Sequence, residues 1–138
     1  MVPEINWFAL ILATISTMVV GSVWYTPKVF GNYWMRVTKM LPGEAKSAVA
    51  PILVTLVVSF ISAWVLAGAT FLAFEFYGGS YLANALLTAL ILWGGFTAAR
   101  FITHDAFEGR PVGLTVLNCA HELVTFMVMA LIIGLFGV

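Results

Sequence analysis

The sequence predicts an all-α integral membrane protein: four transmembrane helices, with an amphipathic interfacial helix between the first and the second. Three observations predict it. The 138 residues are 62% hydrophobic and only 9% charged, with a mean hydropathy of +1.06. A soluble domain carries about a quarter charged residues, so this chain lacks the polar groups to cover a surface facing water. Four long apolar runs punctuate the chain, and its basic residues gather in two of the three connections between them.

The runs cover about 5–24, 49–74, 81–103 and 112–136. Crossing about 30 Å of hydrocarbon takes roughly 20 helical residues, and each run suffices. They are too long and too unalternating for barrel strands, and an open strand would leave its backbone unpaired in lipid. The first run is not read as a cleaved signal: Met1-Val2-Pro3-Glu4 carries no basic residue, and the apolar stretch exceeds a signal's hydrophobic region. The length suits one four-helix bundle over 1–138. Zero net charge gives no field that would point to nucleic acid, and a single Cys119 excludes an intrachain disulfide.

Orientation follows from charge. Lys28, Arg36, Lys39 and Lys46 fall in or beside the first loop, and Arg100 and Arg110 flank the third. The positive-inside rule makes that side cytoplasmic and puts both termini outside. So one-sided a distribution argues against dual topology. Thr26-Pro27 stops the first span. Val29, Phe30, Tyr33, Trp34, Val37 and Leu41 then recur at helical spacing, with Lys28, Asn32, Arg36 and Lys39 facing elsewhere, until Pro42-Gly43. This pattern suits a helix lying in the interface, with Lys28, Arg36 and Lys39 towards anionic headgroups. Pro51 either opens the second span or kinks it.

The second loop, Tyr77-Gly78-Gly79-Ser80, is a tight turn, so spans two and three are antiparallel neighbours. The third, His104 to Arg110, is short enough to make three and four neighbours as well. Ala63, Ala67, Ala85, Ala89, Gly94-Gly95 and Ala98-Ala99 mark close helix contacts, either within the chain or between copies.

The residues with chemistry lie on the fourth span. Asn118, His121, Glu122 and Thr125 stand at i, i+3, i+4 and i+7 and form one stripe. At 1.5 Å per residue, Glu122 is about 15 Å from the cytoplasmic edge, near the midplane. A carboxylate there costs roughly 2.5 kcal/mol or more on insertion scales, so it needs satisfaction. Thr14, Thr17, Ser59, Ser62, Thr88, Trp93 and Thr97 are available at similar depth. Arg100 is the candidate charged partner if it points inward; snorkelling to the interface is the favoured alternative. The stripe reads either as a hydrogen-bonded seam or as a site for a proton, ion or small ligand.

Other chemistry is not expected. The second histidine of a zinc-protease H-E-x-x-H pattern would fall on Thr125. His104, Asp105 and Glu108 read as a solvated loop rather than a metal site, and Glu4 and Glu75 as solvated outer ends. No Ser/His/Asp, Cys/His or phosphate-loop arrangement is present, so neither an enzyme nor a cofactor is predicted.

Trp24-Tyr25-Thr26-Pro27, Phe30-Gly31 and Trp34-Met35 resemble the signature after the first span of a bacterial membrane family called domain of unknown function 1761. Trp93-Gly94-Gly95-Phe96, Phe107-Glu108-Gly109-Arg110-Pro111, and Asn118 before Leu123-Val124-Thr125 resemble its second half. The resemblance covers nearly the whole chain. It implies a small four-span protein of the bacterial inner membrane and supplies no activity. Where the family commonly has an aromatic-histidine pair, this chain has His121-Glu122, and an ungapped match puts that histidine at Glu122. A titratable group at this depth is then shared while its identity varies.

These readings lead to a small membrane protein that binds or transports a small solute, ion or proton around His121 and Glu122. The alternatives are a non-catalytic structural or accessory subunit and a lipid-binding protein. Expected partners are membrane lipid and either further copies of the chain or a larger membrane complex.

Overall fold

The computed structural model describes residues 2–40 and 48–138, and all the regular secondary structure within them is helical. Six α-helices follow in order: α1 Trp7–Trp24, α2 Gly31–Thr38, α3 Val49–Tyr77, α4 Tyr81–Leu92, α5 Ala99–Glu108 and α6 Val112–Phe136. A π-helical turn, Trp93–Ala98, joins α4 to α5 without a break in the helix. The four helical stretches long and apolar enough to cross a membrane are therefore α1, α3, the continuous Tyr81–Glu108 rod, and α6.

Local chemistry sets the ends of each helix. α1 begins at Trp7 because the Asn6 side chain accepts the Ala9 N–H at 3.1 Å. It stops where Thr26-Pro27 turns the chain. α3 opens with Pro51 in its first turn, where a missing N–H costs nothing. The α3–α4 turn uses Gly78 and Gly79 at positive φ. Asn84 donates to the carbonyls of Gly78 and Ser80, both at 2.9 Å, and fastens that turn.

α1 and α4 each pack against both α3 and α6, while α3 and α6 face each other across the diagonal. Asn6 Nδ2 reaches Phe136 O at 3.5 Å and Phe8 stacks edge-on against Phe136, so α1 begins beside the end of α6. The core lies in this terminal half: Leu10, Ala13, Ala63, Leu66, Ala67, Ala85, Ala89, Met129, Ala130 and Ile133. Four of the eight residues flagged as small contacts in spans two and three, Ala63, Ala67, Ala85 and Ala89, are thus packed within the chain. Gly134 lets α4 and α6 come close: a Cβ there would stand 2.8 Å from Leu82 Cα.

Two expectations need correcting. The segment His104–Arg110 is not a loop, because the helix continues to Glu108 and only Gly109 to Pro111 connect it to α6. Hydropathy falls at His104, but the backbone does not end there. Gly109 takes the left-handed conformation that caps a helix, and Arg110 N donates back to Asp105 O at 2.9 Å. Asp105 is also not solvated. It is buried, accepts Thr115 Oγ1 at 2.6 Å, and lies 3.8 Å from Arg110 Nε. The rise in polarity marked a tertiary contact rather than a surface.

The interfacial stretch is helical over Gly31–Thr38, shorter than the Val29–Leu41 pattern, because Lys39 turns left-handed at φ 57°. Tyr33, Trp34 and Val37 are half-buried, and Asn32, Arg36 and Lys39 are exposed. Leu41, Pro42-Gly43 and Lys46 lie outside the described residues. The corner before α2 needs a glycine: Thr26 O accepts Val29 N and Gly31 N, and a Cβ on Gly31 would run into the Tyr25 carbonyl. Gly113 on α6 likewise leaves room for Tyr33 Oη, which seats α2 against the start of α6.

Candidate functional site

Towards α2 the bundle loosens. Below the Thr17–Ser59 contact, where the two hydroxyls are 2.9 Å apart, α3 carries no buried residue from Val49 to Val58. The separation leaves a cavity of about 540 Å³ between α1, α3 and α6. α6 contributes His121, Glu122 and Thr125. α1 and its end contribute Gly21, Ser22 and Tyr25, and α3 contributes Thr55, Ser59 and Ser62. Met18, Val54, Val58, Phe126 and Met129 form the apolar wall.

The stripe on α6 reaches this cavity in part. Glu122 keeps 31% of its side chain exposed and pairs with its own neighbour, Oε1 lying 3.2 Å from His121 Nδ1. Thr125 is buried and donates back to His121 O at 2.9 Å, a common resort of a helical threonine. Asn118 turns aside: its Oδ1 accepts the Tyr25 hydroxyl at 2.9 Å. It lines a second cavity of about 430 Å³, with Thr97, Arg100, His104, Asp105, Glu108 and Arg110. The structure therefore divides the five predicted site residues. His121, Glu122 and Thr125 share one cavity, Asn118 and Arg100 the other, and Arg100 is exposed rather than paired with Glu122.

His121 is tightly held. Its ring lies 5.1 Å from Tyr25 and 5.9 Å from Trp24, centroid to centroid. Nε2 is buried without a hydrogen-bond partner, packed over Gly21, where an added Cβ would be 3.6 Å away. Of the hydroxyls expected to satisfy the stripe, Thr14 donates to Leu10 O at 2.8 Å, and Thr17 reaches Thr14 O at 2.8 Å and Ser59 Oγ at 2.9 Å. Trp93 bonds across helices, from Nε1 to Cys119 O at 2.8 Å, and so ties the π turn to α6.

At the α5–α6 corner, Glu108 Oε2 accepts Arg110 Nε at 2.6 Å. That bond first, and then the charges of Glu108 and Asp105, hold the Arg110 guanidinium above its ordinary value. The cation is thus committed to this corner. Among the described residues no three histidine, cysteine, aspartate or glutamate side chains converge to hold a metal ion.

The sequence matches the family described as "Protein of unknown function (DUF1761)" over residues 8–134. The chain belongs to this family. No curated protein and no solved structure matches it. In this DUF1761 protein the segments that carry the resemblance fall in the half away from the termini. Trp24–Pro27 and Phe30-Gly31 form the α1–α2 corner, Trp93–Phe96 lies in the π turn, and Phe107–Pro111 forms the α5–α6 corner.

Three residues of the site escaped the sequence reading. Tyr25, noted in the sequence only within the Trp24–Pro27 signature, borders the main cavity and bonds to Asn118. Asp105 and Thr115, ten positions apart across a turn, form a buried pair. A Thr four positions into a span after Asp-x₃-Gly-Arg-Pro was the available signal. The π turn was foreshadowed only by Gly94-Gly95, which weakens regular helix.

Proposed function

We propose that the protein binds a small solute or ion in the cavity beside Glu122 and moves it across the membrane in step with protonation of Glu122 or His121. The observation that supports this reading is the cavity itself: a carboxylate midway along a membrane-spanning helix, partly exposed to about 540 Å³ of space. Ionisable groups inside spans face water-filled cavities or partners and mark ion and proton pathways. The cavity is within the roughly 300–1,000 Å³ range of small-ligand sites. No reacting constellation accompanies the carboxylate, so the proposed role is transport or binding and not catalysis, without a cofactor.

The test is proton and cation flux in proteoliposomes. Wild-type protein should support flux that Glu122→Gln abolishes while remaining folded. Flux absent from both would sink the reading. In keeping with the basic first loop, we place the protein in the bacterial inner membrane with both termini outside and α2 on the cytoplasmic side. There the exposed Lys28, Arg36 and Lys39 would meet anionic lipid headgroups. Arg36→Gln with Lys39→Gln should then weaken binding of α2-side segments to anionic liposomes.

A second reading treats the stripe as a seam for further copies of the chain or for a larger membrane complex. The part of the Glu122 side chain left exposed, which a neighbouring chain would cover, favours it. Copurification with a defined complex that survives Glu122→Gln would select this reading.

A further inference from the structure

We infer that the guest of the Glu122 cavity is an amphiphilic monocation, with a cationic head and an apolar body, that competes with a proton on Glu122. The inference rests on the binding role proposed above and names its substrate class. Three features of the structure lead to it.

The first is charge. His121 is the single ion-pair partner of Glu122 among the described residues. Its Nδ1 faces the carboxylate, and its Nε2 is buried with nothing to bond. A second proton on that ring would be a buried donor without an acceptor, a penalty of about 1–3 kcal/mol or more. The pair is therefore best satisfied with one proton on His121, on Nδ1 and donated to Glu122. This leaves the carboxylate's charge uncompensated. The other titratable or charged neighbours do not supply a cation: α1 ends in Tyr25, α6 adds Cys119, and α3 presents only Thr55, Ser59 and Ser62 to the cavity. Arg100, His104 and Arg110 line the other cavity, and Arg110 is engaged by Glu108 and Asp105. Either a proton or a cationic guest completes the site.

The second feature is the wall. Met18, Val54, Val58, Phe126 and Met129 surround the carboxylate with apolar surface and polarizable thioethers, which suit an apolar body better than a hydrated metal ion. The third is access. No residue of α4 or α5 lines the cavity, and Val54 and Val58 line it while keeping 61% and 55% of their own surface exposed. The cavity opens sideways between α1 and the first turns of α3, in the direction of lipid, where an amphiphile resides.

Binding then releases one proton. The Glu122 O–H gives its proton to solvent as the cation arrives, and takes one back as the cation leaves. Two probes of matched shape and opposite charge test the inference: tetraphenylphosphonium and tetraphenylborate, with the full chain in lipid nanodiscs and empty nanodiscs as blank. Tetraphenylphosphonium should bind wild type, more tightly as pH rises, with proton release into weak buffer. Glu122→Gln, checked for fold by circular dichroism, should weaken it about tenfold or more and remove the pH dependence. Val58→Trp, which fills the apolar wall, should also weaken it. Tetraphenylborate should show no Glu122-dependent binding. Equal binding of both probes, or binding unchanged in Glu122→Gln, overturns the inference. Glu122-dependent sodium or potassium flux without tetraphenylphosphonium binding also overturns it and leaves the transport reading standing. Absence of both flux and binding from wild type removes the two together.

Discussion

The two halves of this bundle are built from the same apolar alphabet and differ in how closely the backbones approach. In the half holding the termini, alanines and Gly134 let α4 and α6 touch, and the side chains between them are buried. In the half holding α2, α3 leans away, a π turn interrupts the rod, and two cavities lined with hydroxyl and titratable groups take the place of a core. Apolar side chains have little to gain from hiding in lipid, so packing distance decides which half is rigid. The firm half can hold α6 in place while the loose half accommodates a guest.

Glycines offer the sharpest break of that comparison. Gly134→Ala drives a Cβ against Leu82 and Ala85 and should destabilise the fold by about 1–3 kcal/mol. Gly95→Ala meets nothing within 4 Å. It should be neutral or stabilise by up to about 1 kcal/mol as helix propensity rises. Thermal unfolding of both variants in one detergent is the measurement. Equal losses would mean that the two halves are packed alike.

The Asp105 pair is next in size. Asp105→Ala leaves Thr115 without its acceptor and Arg110 without its second ion-pair neighbour at the α5–α6 corner, and should cost about 1–3 kcal/mol. Thr115→Val, which removes one neutral donor, should cost less. Hydrogen exchange near Gly109 to Leu114 should rise in both variants if this contact pins the corner. Unchanged exchange would count against it.

The sequence carried the spans because hydropathy and length are local properties, and the alanine contacts because small residues in a lipid-facing helix have few other uses. It did not carry the division of the stripe. Asn118 and Glu122 share a face by helical spacing, but Tyr25 arrives from another helix and draws Asn118 to it. Arg100, for which snorkelling is favoured over pairing with Glu122, is exposed and lines the other cavity; depth follows from counting residues, whereas the direction a side chain takes depends on neighbours distant in sequence. Asp105 shows the converse error, since a polar residue at the end of an apolar run reads as surface until its partner ten positions on is seen.

Tyr25→Phe tests the link between the two cavities with a smaller effect. It removes the 2.9 Å bond to Asn118 and keeps the ring against His121. Loss of one such bond should cost about 1 kcal/mol. The more telling readout is access: the native Cys119 thiol, next to Asn118, should react faster with a water-soluble thiol reagent when position 25 is Phe. An unchanged rate would mean that the hydroxyl does not close off that path.

The smallest expected change in stability is at Glu122 itself. Replacing a partly buried ion pair by neutral groups of similar shape is often neutral or stabilising. Glu122→Gln retains the shape, keeps an oxygen to accept His121 Nδ1–H, and removes the charge that lipid penalises. Its unfolding temperature should equal or slightly exceed that of wild type. A loss of more than about 2 kcal/mol would place the carboxylate among the groups that hold the helices together, because a charge in a structural seam is missed when removed. Undiminished stability with lost flux would instead mean that the residue is retained at a cost to the fold, as expected of a group kept for the cavity it faces.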